Sequence, residues 1–246
     1  FTREFMNFEP EAWSLRWYRQ MVGISSIGDT TVVTDKWMLG TRNSFIIGIS
    51  ATFLATALGT VAALGLSRRN MPFRGTIMAI LISPMIVPLI ITSAGMFFFY
   101  SKIGLTHTYI GLILAHTALG TPFVVITVTA TLTGFDTNLI RASQSLGADT
   151  LRTFFKVIMP LILPGVISGA LFAFITSFDE VVVVMFIGSV EQITIPKQMW
   201  AGLRQETSPV ILCMATCLVA LSIALLTTVE LLRRRSERLR GIKLRN

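Results

Sequence analysis

The chain has 246 residues, of which 52% are hydrophobic and only 14% are charged. Soluble globular domains carry about 25% charged residues, so this composition excludes an ordinary soluble domain and indicates a membrane protein. The net charge of +8 is divided among short separate segments and is not gathered on one soluble surface, which disfavours a nucleic-acid-binding protein.

Five stretches without charged side chains, residues 43–67, 75–101, 103–135, 157–178 and 207–229, are each long enough to cross a membrane, since a spanning helix needs about 20 apolar residues. We predict spans at about 43–66, 76–100, 109–133, 157–178 and 208–231. Backbone polar groups in lipid must be hydrogen-bonded within the segment, so the spans should be helices, and the alternating pattern of β-barrel strands is missing. The prediction is an all-α polytopic membrane bundle that forms one domain over residues 1–246.

The distribution of lysine and arginine predicts the orientation, because basic residues concentrate in cytoplasmic loops. Most of the 21 basic residues follow the first predicted span, lie between the third and fourth, or follow the last. We therefore expect residues 134–156 and the basic tail 232–246 to be cytoplasmic, and residues 1–42 to form an external segment. The chain does not begin with methionine, and a span before Phe1 would not be visible in this sequence.

Two features of the first and third spans predict how the helices pack. The first span has small residues at every fourth position, namely Ala51, Ala55, Gly59 and Ala63. Such a stripe lets another helix approach closely, and packing within the bundle explains it better than a dedicated subunit interface. His116 in the third span has no acidic residue nearby in sequence, so we predict a hydrogen bond to a neighbouring helix.

The second span contains Pro84 and Pro88, so we predict that its helix is bent or locally unwound. Ser83 and Thr92 flank these prolines and are candidates for lining a transport path. Either hydroxyl could instead bond the backbone of its own helix.

A polar segment, residues 134–156, interrupts the apolar spans and predicts a helix, a stop and a second helix. The first helix is expected from Thr137 to Leu146, with Gly147 ending it and Asp149 or Thr150 capping the next. Pro160 and Pro164 should kink the entry into the following span. A polar helix–glycine–helix segment of this kind in a membrane protein predicts a docking site for a soluble partner. The candidate docking residues are Arg141, Ala142, Ser143, Leu146, Gly147 and Leu151.

Asp179 and Glu180 follow Phe178 between two apolar stretches. Ionised carboxylates near hydrocarbon cost about 2.5–3.5 kcal/mol each on insertion scales, so they usually face a cavity or a partner. These three residues could line a transport path for a cationic solute. Alternatively, the helix ends near Phe178 and both acids lie at the outer interface, and the sequence leaves both interpretations open.

The sequence contains no GxxxxGK[ST], HExxH or GxSxG pattern. We therefore predict a non-catalytic subunit and assign it no catalytic residue, metal site or cofactor. If the polar segment recruits an energy source, that source is another chain.

The polar segment resembles the E-A-A loop of membrane subunits of bacterial ABC importers, in which E-A-A is followed by three residues, G, nine residues and I-x-L-P. Arg141, Ala142 and Ser143 fill the first three places, Gly147 matches the glycine, and Pro160 ends the pattern. The spacing agrees throughout. Arginine replaces the glutamate and serine replaces the second alanine, which affects any contact of the glutamate but not the helix–glycine–helix geometry.

Other segments resemble the spermidine/putrescine permease branch of that family. They are WSLRWYRQM, FRG, SPMIVP, HTALGTPFVVITV, GFD and SFDEVVV. The resemblance covers nearly the whole chain and implies the type I importer permease fold. Members of this branch normally have six spans, so we expect that the first is missing from this sequence.

The resemblance also implies partners and a location. Two permease subunits, here expected to be a heterodimer, form the pore in the bacterial inner membrane, and a solute-binding protein delivers the solute from outside. Two ATPase subunits bind ATP and magnesium and receive one coupling helix from each permease. The expected solute is a small organic cation or zwitterion, and a polyamine is the first candidate. Related permeases transport other solutes, so an opine, a phosphonate or iron is the alternative.

Two other classes of protein remain possible from the residues alone. A secondary transporter or channel that works without an ATPase would more naturally show inverted repeats with broken helices in both halves. A membrane scaffold or assembly factor would tolerate neutral residues at positions 179 and 180.

Overall fold

The computed structural model describes residues 16–21, 31–68, 70–133, 136, 138–205 and 209–239. These residues form helices and connecting turns without a strand, as predicted. A π-helical turn, Phe154–Ile158, joins two of the helices. In chain order the helices are α1 Arg16–Met21, α2 Thr31–Leu66, α3 Arg74–Ile86, α4 Leu89–Ile103, α5 Tyr109–Thr133, α6 Asn138–Ser145, α7 Thr150–Thr153, α8 Met159–Phe178, α9 Val182–Ile187, α10 Ile195–Gln205 and α11 Pro209–Leu239.

Among the described residues, four helical segments are long and apolar enough to cross a membrane, and a broken pair raises the number to five if it is one span. The four are Lys36–Leu66, Tyr109–Thr133, Thr150–Phe178 and Pro209–Thr228. The broken pair is α3 and α4, and the chain bends by 103° between these two helices. Parts of the predicted external segment and basic tail, including residues 1–15 and 240–246, lie outside the described residues.

The break in the second span lies at the predicted prolines. α3 ends after Ile86, and Val87 is extended at ψ 136°. Pro88 then precedes the first residue of α4. Because Pro88 has no N–H to offer to the preceding turn, the helix cannot continue through it with a full set of hydrogen bonds.

The helix leading into the fourth span begins at the predicted cap and continues into the span. Asp149 caps its first turn, and one helical segment then runs from Thr150 to Phe178, through Pro160 and Pro164 and past residue 157, where we expected the span itself to start. Its π-helical turn ends at Ile158, just before Pro160. A wider turn accommodates a proline that lacks a donor without ending the helix.

The centre of the bundle is formed by α2, α5 and α8. One buried cluster joins all three helices and contains Ala55, Ala63, Val124, Val128, Ile162, Val166 and Ala173. Gly120 on α5 faces both Ala55 and Ala173, and Val124, one turn later, faces Gly59 and Gly169. Along α5 the facing positions therefore rise on α2 and fall on α8, so α2 and α5 run in the same direction and α8 runs back. We call the end at which α2 and α5 finish and α8 begins the connector end, because residues 138–158, the connector, lie there.

The stripe of small residues on α2 packs inside the bundle, which confirms the prediction from its spacing. Ala51, Ala55 and Ala63 are no more than 1% exposed. A Cβ atom placed on Gly59 would lie 2.7 Å from Cβ of Val124 on α5. Contacts between real Cβ atoms do not occur at this distance, so α2 and α5 can approach this closely only with glycine at position 59.

Two further clusters complete the opposite end. Ile47, Tyr100, Leu112, Val183 and Ile187 bring α2, α4, α5 and α9 together. Trp37, Ile195, Val210, Ile211 and Met214 connect α2 with α10 and α11. The Tyr18 hydroxyl on α1 lies 2.6 Å from the Thr216 hydroxyl on α11, so α1 is also held against the bundle.

The packing of α2 on α5 predicts a position-specific effect of glycine replacement. We expect Gly59→Leu to lower the stability of the purified protein by about 1–3 kcal/mol, because the side chain would force α2 away from α5. The control is Gly65→Leu, since nothing lies within 4 Å of a Cβ placed on Gly65. Thermal unfolding followed by tryptophan fluorescence measures both variants, and equal melting temperatures would contradict the close contact.

Candidate functional site

The first half of the connector ends in a tight turn that its sequence specifies. Gly147 has φ +81°, a conformation that side chains rarely adopt. The N–H of Ala148 donates to the carbonyl of Ser143 at 3.1 Å, and the N–H of Gly147 donates to Gln144 at 2.9 Å. These two bonds form the Schellman arrangement at the end of a helix. Gly147 therefore fixes the angle between α6 and α7, as the sequence predicted.

The second half of the connector starts with a side-chain cap. The Asp149 carboxylate accepts a hydrogen bond from the backbone N–H of Arg152 at 2.7 Å. Asp149 is thus the cap of α7, which decides between the two predicted candidates. The first helix begins at Asn138, whose backbone N–H donates to the Asp136 carboxylate at 2.9 Å.

One face of α6 is held against the rest of the connector. The hydroxyl groups of Ser143 and Thr153 lie 3.0 Å apart, and Thr153 is buried. Ser143 is therefore directed toward α7 and contributes to the internal packing of the hairpin. A small residue at this position lets the two helices approach each other.

The other face of the connector is open. Leu146 is 89% exposed, Leu151 is 69% exposed and Phe155 is 63% exposed. Arg141, Ala142 and Gly147 are exposed beside them. Five of the six predicted docking residues thus lie on the connector's open surface, and the sixth, Ser143, supports it from inside. Large apolar side chains exposed this fully on a polar hairpin are typical of a surface that contacts another protein or the membrane.

At the opposite end of the bundle, the predicted acidic pair is separated into two environments. α8 ends at Phe178, and the N–H of Asp179 donates to the carbonyl of Ile175 at 3.0 Å. Asp179 is exposed and Glu180 is buried. The helix thus ends where the second interpretation of this sequence expected, although only one of the two acids reaches the surface.

Glu180 has a partner within the chain. Its Oε1 accepts a hydrogen bond from the backbone N–H of Val183 at 2.9 Å, in the first turn of α9. Burial raises the pKa of the Glu180 carboxyl above its usual value, and the hydrogen bond from Val183 acts in the opposite direction. Capping a helix N-terminus accounts for a buried carboxylate at this position.

The other end of α9 is capped by a cation that the sequence analysis did not select. Lys197 Nζ donates to the carbonyl oxygens of Val184, Gly188 and Ser189 at 3.2–3.4 Å. Burial lowers the pKa of Lys197 below its usual value. A carboxylate at the start and an ammonium at the end both match the helix dipole, so the six residues of α9 are held at each terminus.

The turn after α9 is fixed to α2 by a second group of polar residues. Asn43 Nδ2 donates to the carbonyl oxygens of Glu191 and Ile193, at 2.8 Å in each case. The Tyr109 hydroxyl donates to Asn43 Oδ1 at 2.9 Å, and the Ser44 hydroxyl accepts from the N–H of Ile195 at 2.9 Å. The sequence analysis did not select Asn43. The signal that could have identified it is a polar amide at the start of an apolar span.

Phe178 anchors the exposed Asp179. Its ring centroid lies 5.2 Å from the rings of both Phe45 and Phe174. Gly48 leaves room for these rings, since a Cβ there would be 3.3 Å from Phe174. The backbone of Asp179 therefore follows a well-packed residue, while its carboxylate has no partner among the described residues.

The hydroxyl candidates in the broken span lie on different sides of the bend. Ser83 on α3 donates to the carbonyl of Ile80 at 2.8 Å, which confirms the alternative that it bonds its own helix. The hydroxyl of Thr92 on α4 is buried and has no partner among the described residues. α4 packs against α9, so Thr92 belongs to the helix that neighbours the acidic turn.

The predicted hydrogen bond of His116 is present. Its Nδ1 lies 2.7 Å from the hydroxyl of Ser177 in the last turn of α8, and both residues are buried. This bond joins α5 to the end of α8, directly before Phe178 and Asp179.

Comparison with known proteins agrees with this architecture. The family model for a binding-protein-dependent transport system inner membrane component matches residues 55–238. The solved structure of the MetNI methionine ABC transporter in inward facing conformations is similar, with a TM-score of 0.61 and 20% identity. The match covers 80% of this chain and 94% of that chain, and at this identity it shows the shared fold.

Curated relatives give the same result over most of the chain. The spermidine/putrescine transport system permease protein PotC of Haemophilus influenzae is 27% identical, with 96% of this chain and 88% of the relative covered. The putrescine transport system permease protein PotI of Escherichia coli strain K12 is 28% identical, with 84% and 73% covered. Because the family model matches well over half of its length, the chain belongs to the binding-protein-dependent transport system inner membrane components.

Proposed function

We propose that this chain is one permease subunit of an ATP-driven importer for a small organic cation, and that a separate ATPase subunit docks on the connector. The observation that carries the proposal is the connector's open surface, with Leu146 89% exposed on a hairpin whose other face is packed internally. The family supports a transport subunit that depends on a binding protein.

The proposed assembly follows from the composition of this family. The chain pairs with a second, different permease, and each permease receives one ATPase at its connector. ATP and magnesium bind to the ATPases. The connector end faces the cytoplasm together with the C-terminal tail, which agrees with the basic residues in both segments. An external binding protein then delivers the solute to the opposite end.

A polyamine is the solute that the relatives favour. PotC and PotI are named for spermidine and putrescine transport. In this chain Asp179 supplies an exposed carboxylate at the opposite end, next to the packed ring of Phe178. A protonated amine could pair with that carboxylate, so we assign Asp179 to the transport path and Glu180 to the support of α9.

The docking role predicts the effect of a charge placed on the connector. In the purified importer, Leu146→Asp should lower solute-stimulated ATP hydrolysis by about tenfold or more, because burying a leucine contributes about 1.5–3 kcal/mol. Co-purification of the ATPase should fall in parallel. The protein itself should remain folded, since the side chain is almost fully exposed in the isolated chain.

A matched control for this variant is Phe73→Asp. Phe73 is 80% exposed at the connector end but lies outside the connector. Its φ is +53°, which aspartate tolerates better than most residues. If solute-stimulated ATP hydrolysis is normal in Leu146→Asp as well as in Phe73→Asp, the proposed docking surface is wrong.

The different roles of the two acids predict different effects of neutralisation. Asp179→Asn should strongly reduce uptake of radiolabelled putrescine into proteoliposomes while leaving assembly with the ATPase unchanged. Glu180→Gln should retain most uptake, because the amide oxygen can still accept the N–H of Val183. Glu180→Ala should lower the stability by about 0.5–2 kcal/mol through loss of this cap. Unchanged uptake by Asp179→Asn would exclude that residue from the path.

A further inference from the structure

We propose that the ATPase surface receiving the connector is acidic where it meets α6, and that Arg141 forms an ion pair with a carboxylate there. This inference rests on the proposed function, and it adds the chemistry of the partner. It also predicts that this permease discriminates against ATPases that lack the matching acid.

The first support is the charge of the connector. Arg141, Arg152 and Lys156 are all exposed, whereas Asp149 is the connector's single acidic residue. The Asp149 carboxylate already accepts the backbone N–H of Arg152 at 2.7 Å. The connector therefore presents an excess of positive charge, and its acid is engaged in capping α7.

The second support is the isolation of Arg141 within its own helix. The residues one turn away within α6 are Asn138, Gln144 and Ser145, and none of them is acidic or aromatic. In the described part of the chain, no ion pair or ring contact involves the Arg141 guanidinium. Its five N–H donors are thus available to a partner without breaking an internal contact.

The third support is the position of Arg141 beside the apolar tip. Arg141 and Ala142 lie on the open surface that also carries Leu146 and Gly147. When a partner covers Leu146, it also removes water around the neighbouring guanidinium. A desolvated arginine needs a carboxylate partner, and its planar group can bind both oxygens of one carboxylate.

An anionic membrane surface is the competing partner for a basic helix. Helices that lie on membranes carry a continuous apolar face with a basic polar face. α6 exposes Leu139 on a surface otherwise formed by Asn138, Arg141, Ala142, Gln144 and Ser145, and this face is too polar for such insertion. The structure therefore favours a protein partner for Arg141.

The test measures binding of the importer's own ATPase to this permease in nanodiscs of zwitterionic phosphatidylcholine. Arg141→Glu should weaken binding by about tenfold or more, and Arg141→Lys should weaken it less, because lysine keeps the charge but loses the planar fork. Binding to the unmodified permease should fall as salt increases, and this dependence should be reduced in Arg141→Glu. The control Arg68→Glu reverses an exposed charge at the same end, outside the connector, and should bind within twofold of the unmodified protein.

The outcomes separate this inference from the proposed function. If Leu146→Asp uncouples the importer but Arg141→Glu binds normally at every salt concentration, the acidic partner is disproved and the docking surface stands. If both variants bind normally, the docking surface fails as well. If Arg141→Glu weakens binding only when anionic phosphatidylglycerol is present, the arginine contacts lipid and the inference is overturned.

Discussion

The close approach of α2, α5 and α8 is the constraint on which the rest of the molecule depends. Gly59 permits contact between α2 and Val124, and the alanines above and below it keep the helices together along the bundle. Apolar side chains gain little by leaving lipid, so packing of small residues is the main force that holds such helices. The connector and the acidic turn are both attached to α8, and their positions are therefore set by this contact.

One continuous helical segment connects the two proposed functional regions. It runs from Thr150, which follows the cap of the connector, to Phe178, which precedes Asp179. Its 29 residues correspond to about 43 Å at the α-helical rise. His116 binds Ser177 near the far end of this segment, so a displacement of the connector would act on a helix whose other end is joined to α5. Within the proposed mechanism, this helix is the shortest covalent route from ATPase docking to the solute path.

Much of this architecture could be predicted from the sequence because its causes are local. Uncharged stretches define the spans, Pro88 breaks the second one, and Gly147 with Asp149 shapes the connector. The four-residue spacing of the small residues from Ala51 to Ala63 was also sufficient to predict that this stripe is buried. The importance of Asn43 and Lys197 could not be predicted in this way, since their partners lie 148 to 150 and 8 to 13 residues away along the chain and are backbone carbonyls. A carbonyl has no sequence signature, so only the folded chain identifies its donor.

The separation of Asp179 from Glu180 shows why adjacent acids in an apolar context need not share a role. The sequence gives them equal chemistry, but the end of α8 at Phe178 directs one residue outward and the other toward α9. Burying Glu180 is tolerable because an N–H of the next helix satisfies it. Asp179 is exposed, and its carboxylate has no partner among the described residues. The same distinction applies at the connector, where Asp149 accepts a backbone N–H and the Arg141 guanidinium has no partner among the described residues. At both ends, the group with an internal partner stabilises the fold, and the group without one is the stronger candidate for contact with another molecule.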